Sequence, residues 1–235
     1  MDKNQEKVLP DCESIQVLTN DFNNYFNDKI KKIRENFSDN DVAFESSEFD
    51  GSLLWEFDLT TVEELRSIIK ETGVKCSASD PLPKCILRDN LETVLPALCE
   101  LVNMSLRTGN MDNVKLADVI STLKAEWLDN NSMKNYRPIS NLVFIGKLIE
   151  RVVLLRLNRH LKLNNLDVPV QSAYKKHHSS ETLLIRISND LLIASDKNSA
   201  TILILLDLSA AFDTVDHSKL LAILEKEIGN YEAQY

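Results

Sequence analysis

The run ILILL, residues 202–206, leads straight into Asp207, and Asp213, Asp216 and His217 follow within ten residues. A carboxylate at the end of an apolar strand is held rigidly and stripped of water on one side, which costs free energy unless a cation or hydrogen bonds compensate. Two readings of Asp207 stand side by side on spacing alone, a metal ligand and an N-cap for the segment that follows. Asp216, close before Lys219, reads as a local cap or surface acid, and His217 as a structural hydrogen-bonder.

A second set of residues suits phosphate. In KNYRPISNL (134–142), Arg137 precedes Pro138, so its backbone is extended and its guanidinium fork is presented from a stiff platform. Such a fork matches two phosphate oxygens or one carboxylate equally well, so a structural ion pair remains the alternative. Lys124, thirteen residues earlier, offers another positive charge. Lys147, Arg151, Arg159 and Lys162 fall on one helical segment, either as a solvated basic face or as contacts to a nucleic-acid backbone. The tract QSAYKKHHSSET (171–182) adds Gln171, Tyr174, Lys175 and Lys176 before a helix N-terminus.

These groups need elements to hold them. Leu18, Phe22, Phe26, Ile30 and Ile33 recur at helical spacing and predict a helix over 15–36. The acidic, Ser-containing stretch 37–51 reads as a linker. Thr61 and Glu64 have capping-box spacing for a helix that Gly73 ends. SASDPLP (77–83) is a stiff loop, and a helix over about 84–107 follows, broken or kinked at Pro96. KLADVISTLK (115–124) predicts a strand with Ala117, Val119 and Ser121 on one face, followed by irregular chain to Ser140. Helices are expected over 142–163, with Val152, Val153 and Leu157 inward, from a cap at Ser179 or Ser180 to about 196, and from about 218 onward. The run 201–207 predicts a strand buried on both faces. Helices with a few strands that do not alternate regularly indicate an α+β fold.

Composition sets outer bounds. The 235 residues carry a formal net charge of −9, which argues against a uniformly basic binding surface. The charge is uneven: residues 1–60 net −8, whereas 134–178 net +7. No apolar run reaches membrane-spanning length, and the polar, acidic start does not resemble a secretory signal. An intracellular setting, nuclear or cytoplasmic, is therefore expected. Cysteines 12, 76, 85 and 99 lack zinc-site spacing and are expected as free thiols. The five glycines are scattered, which excludes a Walker loop or a dinucleotide fingerprint.

In order, SDPLPKCIL, NYRPISNLVFIGKLIERVV, QSAYKKHHSSETLL and LLDLSAAFDTVDHSKLL resemble consecutive blocks of the reverse transcriptase of LINE-type (non-LTR) retrotransposons, most like the jockey-related branch. The resemblance runs over about 15–228 and is strongest over 76–221. It implies right-hand polymerase fingers and a partial palm over 51–235, with an N-terminal helix and acidic linker over 1–50. On that resemblance Asp207 is the first catalytic carboxylate and a ligand of Mg²⁺, with the Leu208 carbonyl beside it. Phe212 matches the aromatic beneath the nucleotide sugar. Lys124 and Arg137 grip the triphosphate, Gln171, Tyr174 and Lys175 lie along the template or nucleotide cleft, and the basic helix faces the heteroduplex. Asp213, Asp216 and His217 hold the turn and helix. RNA template, DNA primer and deoxynucleotides are the implied partners.

The sequence also departs from that pattern. The family's aromatic-x-Asp-Asp block has no counterpart, because the chain contains no Asp-Asp pair. Met111, Asp112 and Val114 stand where an aromatic-Pro pair and a Trp or Phe are usual, Ser121 where proline is, and Lys175 where arginine is. EWLDN follows Lys124 where a Lys-Pro pair is common. The expectation is a fragment of an RNA-directed DNA polymerase that is catalytically incomplete alone. The alternative is a non-catalytic module that binds nucleic acid or protein. A phosphohydrolase with Asp207 as nucleophile fits poorly, because no acid follows two residues later.

Overall fold

The computed structural model describes residues 9–36, 51, 54–81, 83–112, 114–166 and 168–228. Residues 37–50 of the expected linker and the tail 229–235 lie outside them. In chain order the elements are α1 (Ile15–Glu35), α2 (Val62–Thr72), α3 (Lys84–Asp89), α4 (Leu91–Thr108), β1 (Ala117–Leu123), β2 (Tyr136–Leu142), α5 (Phe144–Leu163), α6 (Ser180–Asp196) and α7 (His217–Ile228). A single 3₁₀ turn, Met133–Asn135, precedes β2. The architecture is mixed, helices with a small antiparallel sheet, compatible with the α+β expectation.

Helix boundaries follow local chemistry. Ser14 accepts from the Val17 amide and opens α1. Thr61 accepts from the Glu64 amide and opens α2, and Gly73 closes it at φ 72°, where a Cβ would be strained. The α3–α4 break falls at Asn90, not at Pro96 as expected. Pro96 sits inside α4 on its exposed side, where the Glu92 carbonyl left without a partner can be hydrated.

The apolar faces of α2, α3, α4 and α5 form the main core, with Leu65, Ile69, Leu95, Val102 and Val152 essentially inaccessible. Each such side chain contributes roughly 1.5–3 kcal/mol by leaving water. Helix α1 adds a smaller cluster: Leu18 and Phe22 bury against Tyr136 of β2, and the Phe22 and Tyr136 rings meet edge to face at 4.9 Å.

A polar knot runs through the helical core. Arg156 of α5 donates from Nη1 and Nη2 to the two carboxylate oxygens of Glu64 of α2, at 2.6 and 2.7 Å. Its Nε also donates to the Asp58 carbonyl at 3.0 Å. Thr60 donates its hydroxyl to Glu64 at 3.0 Å, and its amide donates to Asn103 Oδ1 of α4 at 2.8 Å. Asn103 Nδ2 returns a bond to the Thr60 carbonyl at 3.0 Å. The fork-to-fork geometry is the strong form of an ion pair. The Arg156 guanidinium, with support from the Thr60 hydroxyl, holds the Glu64 carboxyl below its ordinary range.

The sheet corrects two expectations. Residues 136–140, expected as irregular chain, and Leu142, expected to open a helix, belong to β2, antiparallel to β1 with Ala117 opposite Leu142 and Leu123 opposite Tyr136. Pro138 is tolerated because the sheet has two strands, so every strand is an edge. Residues 201–207, expected as a doubly buried strand, belong to no strand or helix and pair with nothing among the described residues, and Ile202, Leu205 and Leu206 are at least 80% exposed. A strand's burial is supplied by neighbours, and none is present among the described residues.

Gly146 of α5 lies where a Cβ would come within 2.5 Å of the Val114 carbonyl oxygen. Replacing a helical glycine by alanine ordinarily adds up to about 1 kcal/mol of stability. Here the obstacle is backbone, so Gly146→Ala is expected to lower unfolding free energy by about 1–3 kcal/mol in denaturant titration. Arg156→Leu is expected to lower it by about 3 kcal/mol, because Glu64 is left partly buried and unpaired. The pH dependence has a fixed sign. Since the folded Glu64 pKa is depressed, the pair's contribution is complete above the ordinary glutamate pKa of about 4.3 and fades as pH falls below it. The parent should therefore lose more stability than Arg156→Leu between about pH 5 and 2.

Candidate functional site

Helix α5 sets the cationic surface. Its N-terminus is held by Asp80 of the SASDPLP loop, whose Oδ1 accepts from the Phe144 amide at 2.7 Å, while Asp118 of β1 accepts from the Ser79 amide at 3.1 Å. That loop thus ties strand to helix. With Leu148, Ile149, Val152 and Arg156 turned inward, helical periodicity puts Lys147, Arg151 and Lys162 within about 60° of one another on an outer face.

These cations are not equivalent. Lys147 donates to the Asn141 Oδ1 at 2.6 Å and to the Lys75 carbonyl at 3.0 Å, so it fastens α5 to β2 and to the chain after α2. Arg151 lies 3.9 Å from Glu71, and Arg159 lies 3.4 Å from Asp58. Both contacts are exposed and carry little stability. Lys162 is exposed, with no ion-pair partner among the described residues.

Arg137 and Lys124 share one face at the end of the sheet where the 124–135 connection joins its two strands. Arg137 is opposite Thr122, two residues before Lys124, so alternation puts both on that side. Lys124 donates to the Lys134 carbonyl at 2.6 Å. Arg137 is exposed and its guanidinium meets no acid among the described residues. The ion-pair reading of Arg137 has no support here, whereas the extended backbone does.

The 171–178 loop and the segment after Asp207 meet through aromatics. Tyr174, at φ 57°, sets its ring edge to face against Phe212 at 5.9 Å. Gln171 folds back, its Nε2 donating to the Ala173 carbonyl at 3.1 Å. Lys175 is half-buried, and Lys176 reaches 3.8 Å from Glu71. Asp216 accepts from the Lys219 amide at 3.1 Å and caps α7, which lowers its pKa, as its spacing suggested. Asp213 donates its amide to the Ala210 carbonyl at 3.0 Å and holds the turn.

Asp207 and Leu208 are exposed. No group of three or more His, Cys, Asp or Glu side chains that could hold a metal comes together among the described residues. A magnesium ion keeps near-octahedral oxygen ligation and uses one or two carboxylates with substrate phosphates. Asp207 can contribute a single carboxylate, since Asp216 is engaged at α7. The residues gathered here do not build a two-metal centre.

Sequence reading overlooked Glu71 and Lys75, and it named Lys176 without its acidic neighbour. Glu71 sits in the last turn of α2, and only the packing of α2 on α5 brings it to Arg151. All four cysteines are free, and burial raises the thiol pKa of Cys76 and Cys99. No helix among the described residues is long and apolar enough to cross a membrane.

Residues 124–230 match the family model for reverse transcriptase (RNA-dependent DNA polymerase). The RNA-directed DNA polymerase from mobile element jockey of Drosophila funebris is 30% identical over 168 residues, which are 70% of this chain and 18% of that protein. Its Drosophila melanogaster counterpart is 26% identical over 68% of this chain and 18% of its own length. The probable RNA-directed DNA polymerase from transposon BS of D. melanogaster is 30% identical over 40% of this chain and 10% of its own length. Residues 124–230 are therefore similar in sequence to the reverse transcriptase domain, and the chain spans under a fifth of the jockey polymerases it matches.

The contrast between cations gives a test. Lys147→Met is expected to lower unfolding free energy by about 1–3 kcal/mol, since it strips a charged donor from two acceptors. Arg137→Ala is expected to stay within about 0.5 kcal/mol of the parent in the same titration.

Proposed function

We propose that this chain supplies the fingers and the opening of the palm of a retrotransposon reverse transcriptase, an enzyme of RNA-templated DNA synthesis. The observation that carries the reading is the reverse transcriptase match over 124–230, which contains both the uncommitted Arg137 fork and the Asp207 block. Arg137 and Lys124 bind the nucleotide triphosphate, with a guanidinium fork and an ammonium directed at phosphate oxygens. Phe212, braced by Tyr174, lies under the sugar. Arg151, Arg159, Lys162 and Lys175 run along the template–primer backbone with Gln171 and Tyr174, and Lys147 holds that helix in place while leaving a donor free. Asp207 and the Leu208 carbonyl contribute to Mg²⁺ binding. RNA template, DNA primer and deoxynucleotides are the partners.

Catalytic incompleteness belongs to the same proposal. With no Asp-Asp pair in the sequence and one uncommitted carboxylate at 207, the chain by itself binds without extending. The second reading, a non-catalytic nucleic-acid- or protein-binding module, rests on that isolation of Asp207.

Primer extension on an RNA template with Mg²⁺, run on this chain and on Asp207→Asn, decides the point alongside a salt titration of duplex binding. The expected result is no extension by either, with affinity falling steeply as salt rises, because phosphate neutralisation releases counterions. Extension that Asp207→Asn abolishes would show that unrecognised acids complete the site. Affinity that salt leaves unchanged would favour protein docking.

A further inference from the structure

Where the C-terminal end of α2 meets the first turns of α5, the surface forms a notch of about 110 Å³. Phe144 and Leu148 line its apolar side, and Lys75, Lys147 and Arg151 its charged side. The volume is several times the roughly 30 Å³ share of one liquid water. Lys147 and Arg151 are one helical turn apart, so both head groups stand on the same side of α5. Lys176 approaches from the 174–178 loop, where Tyr174 and His177 take left-handed backbone at φ 57° and 65°.

A single oxygen of Glu71 lies between two of these cations. Its Oε1 is 3.9 Å from Arg151 Nη2 and 3.8 Å from Lys176 Nζ. Both separations exceed hydrogen-bond length, and the Glu71 side chain is 59% exposed. An anionic oxygen is thus placed between an arginine and a lysine without being bonded to either. Such a contact is largely screened by solvent and gives way at little cost.

We infer that this notch is a phosphate seat for a nucleic-acid backbone, in which Lys75, Arg151 and Lys176 bind one phosphodiester and Glu71 is the resident anion it displaces. The inference rests on the proposed polymerase reading for its ligand class and adds residues and a mechanism to it. Lys147 contributes its remaining N–H while staying tied to Asn141 and to the Lys75 carbonyl. Arg151 turns its fork from Glu71 to the phosphate oxygens, for which bidentate geometry is available. Glu71 then swings into water. Its negative charge makes the seat selective, because an anion must bring enough charge to outcompete an attached carboxylate.

The test uses the full chain, a fluorescein-labelled single-stranded RNA of about 20 nucleotides, and anisotropy titrations across a salt series. Lys75→Ala with Lys176→Ala is expected to weaken binding about 10-fold or more at low salt and to reduce the magnitude of the salt slope by about 1 to 2. Glu71→Gln is expected to tighten binding several-fold. Circular dichroism melts keep folding separate, since all three side chains are exposed and the melts should stay unchanged. Parent binding that these three substitutions leave as it was would overturn the seat while sparing the wider polymerase reading. Absence of RNA binding by the parent would overturn both.

Discussion

The Arg156–Glu64 pair is the constraint on which the rest of the arrangement depends. It joins α5 to α2, and through Thr60 and Asn103 it reaches α4. Hydrophobic contact among these helices is strong but has little directional preference. The pair and its carbonyl acceptors at Asp58 and Leu59 have fixed geometry, with the Arg156 side chain only 12% exposed. Turning α5 about its axis would break four directed bonds and leave charge uncompensated. With Arg156 fixed inward, Lys147, Arg151 and Lys162 face outward. The cationic surface is thus a consequence of a buried charge, and the notch beside Glu71 exists because the same packing brings the end of α2 alongside α5.

Sequence reading succeeded where structure is decided locally. The helix at 15–36, the cap at Thr61, the stop at Gly73 and the cap at Ser179 depend on residues a few positions apart, and each stands in the structure. Asp216 was legible as a cap for the same reason. β2 was not, because NYRPISN lacks strong alternation and its strand character comes from a partner lying across a connecting loop. Arg156 was counted as one charge in a basic segment, although it follows Val152 by four residues and Ile149 by seven. That register places it on the apolar face, where an arginine requires an acid. The signal was present, but its partner Glu64 had already been given a capping role.

Most of the candidate site was legible as residue types and much less so as geometry. The resemblance to reverse transcriptases assigned Lys124, Arg137 and the residues of α5 to phosphate contact. It could not separate Lys147, which is spent largely on holding the fold, from Arg137, which meets no acid among the described residues. That distinction depends on the fold, which brings Asn141 of β2 and the distant Lys75 carbonyl to the Lys147 ammonium. Phe212 and Tyr174 were assigned separate roles, and only the structure shows their rings in contact.

The 202–206 run and Asp207 make one physical point. An apolar strand buries itself by pairing with neighbours, and a carboxylate at its end gains a perturbed environment from the same neighbours. Here the run is unpaired, Leu206 is 90% exposed, and Asp207 beside it is solvated. The apolar faces of α6 and α7 are in the same condition, with Leu184 and Ile185 of α6 more than 60% exposed. By contrast the segment from Thr60 to Val152 holds most of the buried side chains. Nucleic-acid contact through the outer face of α5 requires only the well-packed part. Chemistry at Asp207 requires strands beside 202–206 and acids beside 207, and both requirements are met by the same kind of neighbouring chain. The proposed binding and the proposed chemistry therefore separate physically along this sequence, the first resting on α2, α4 and α5, the second on contacts that these described residues do not make.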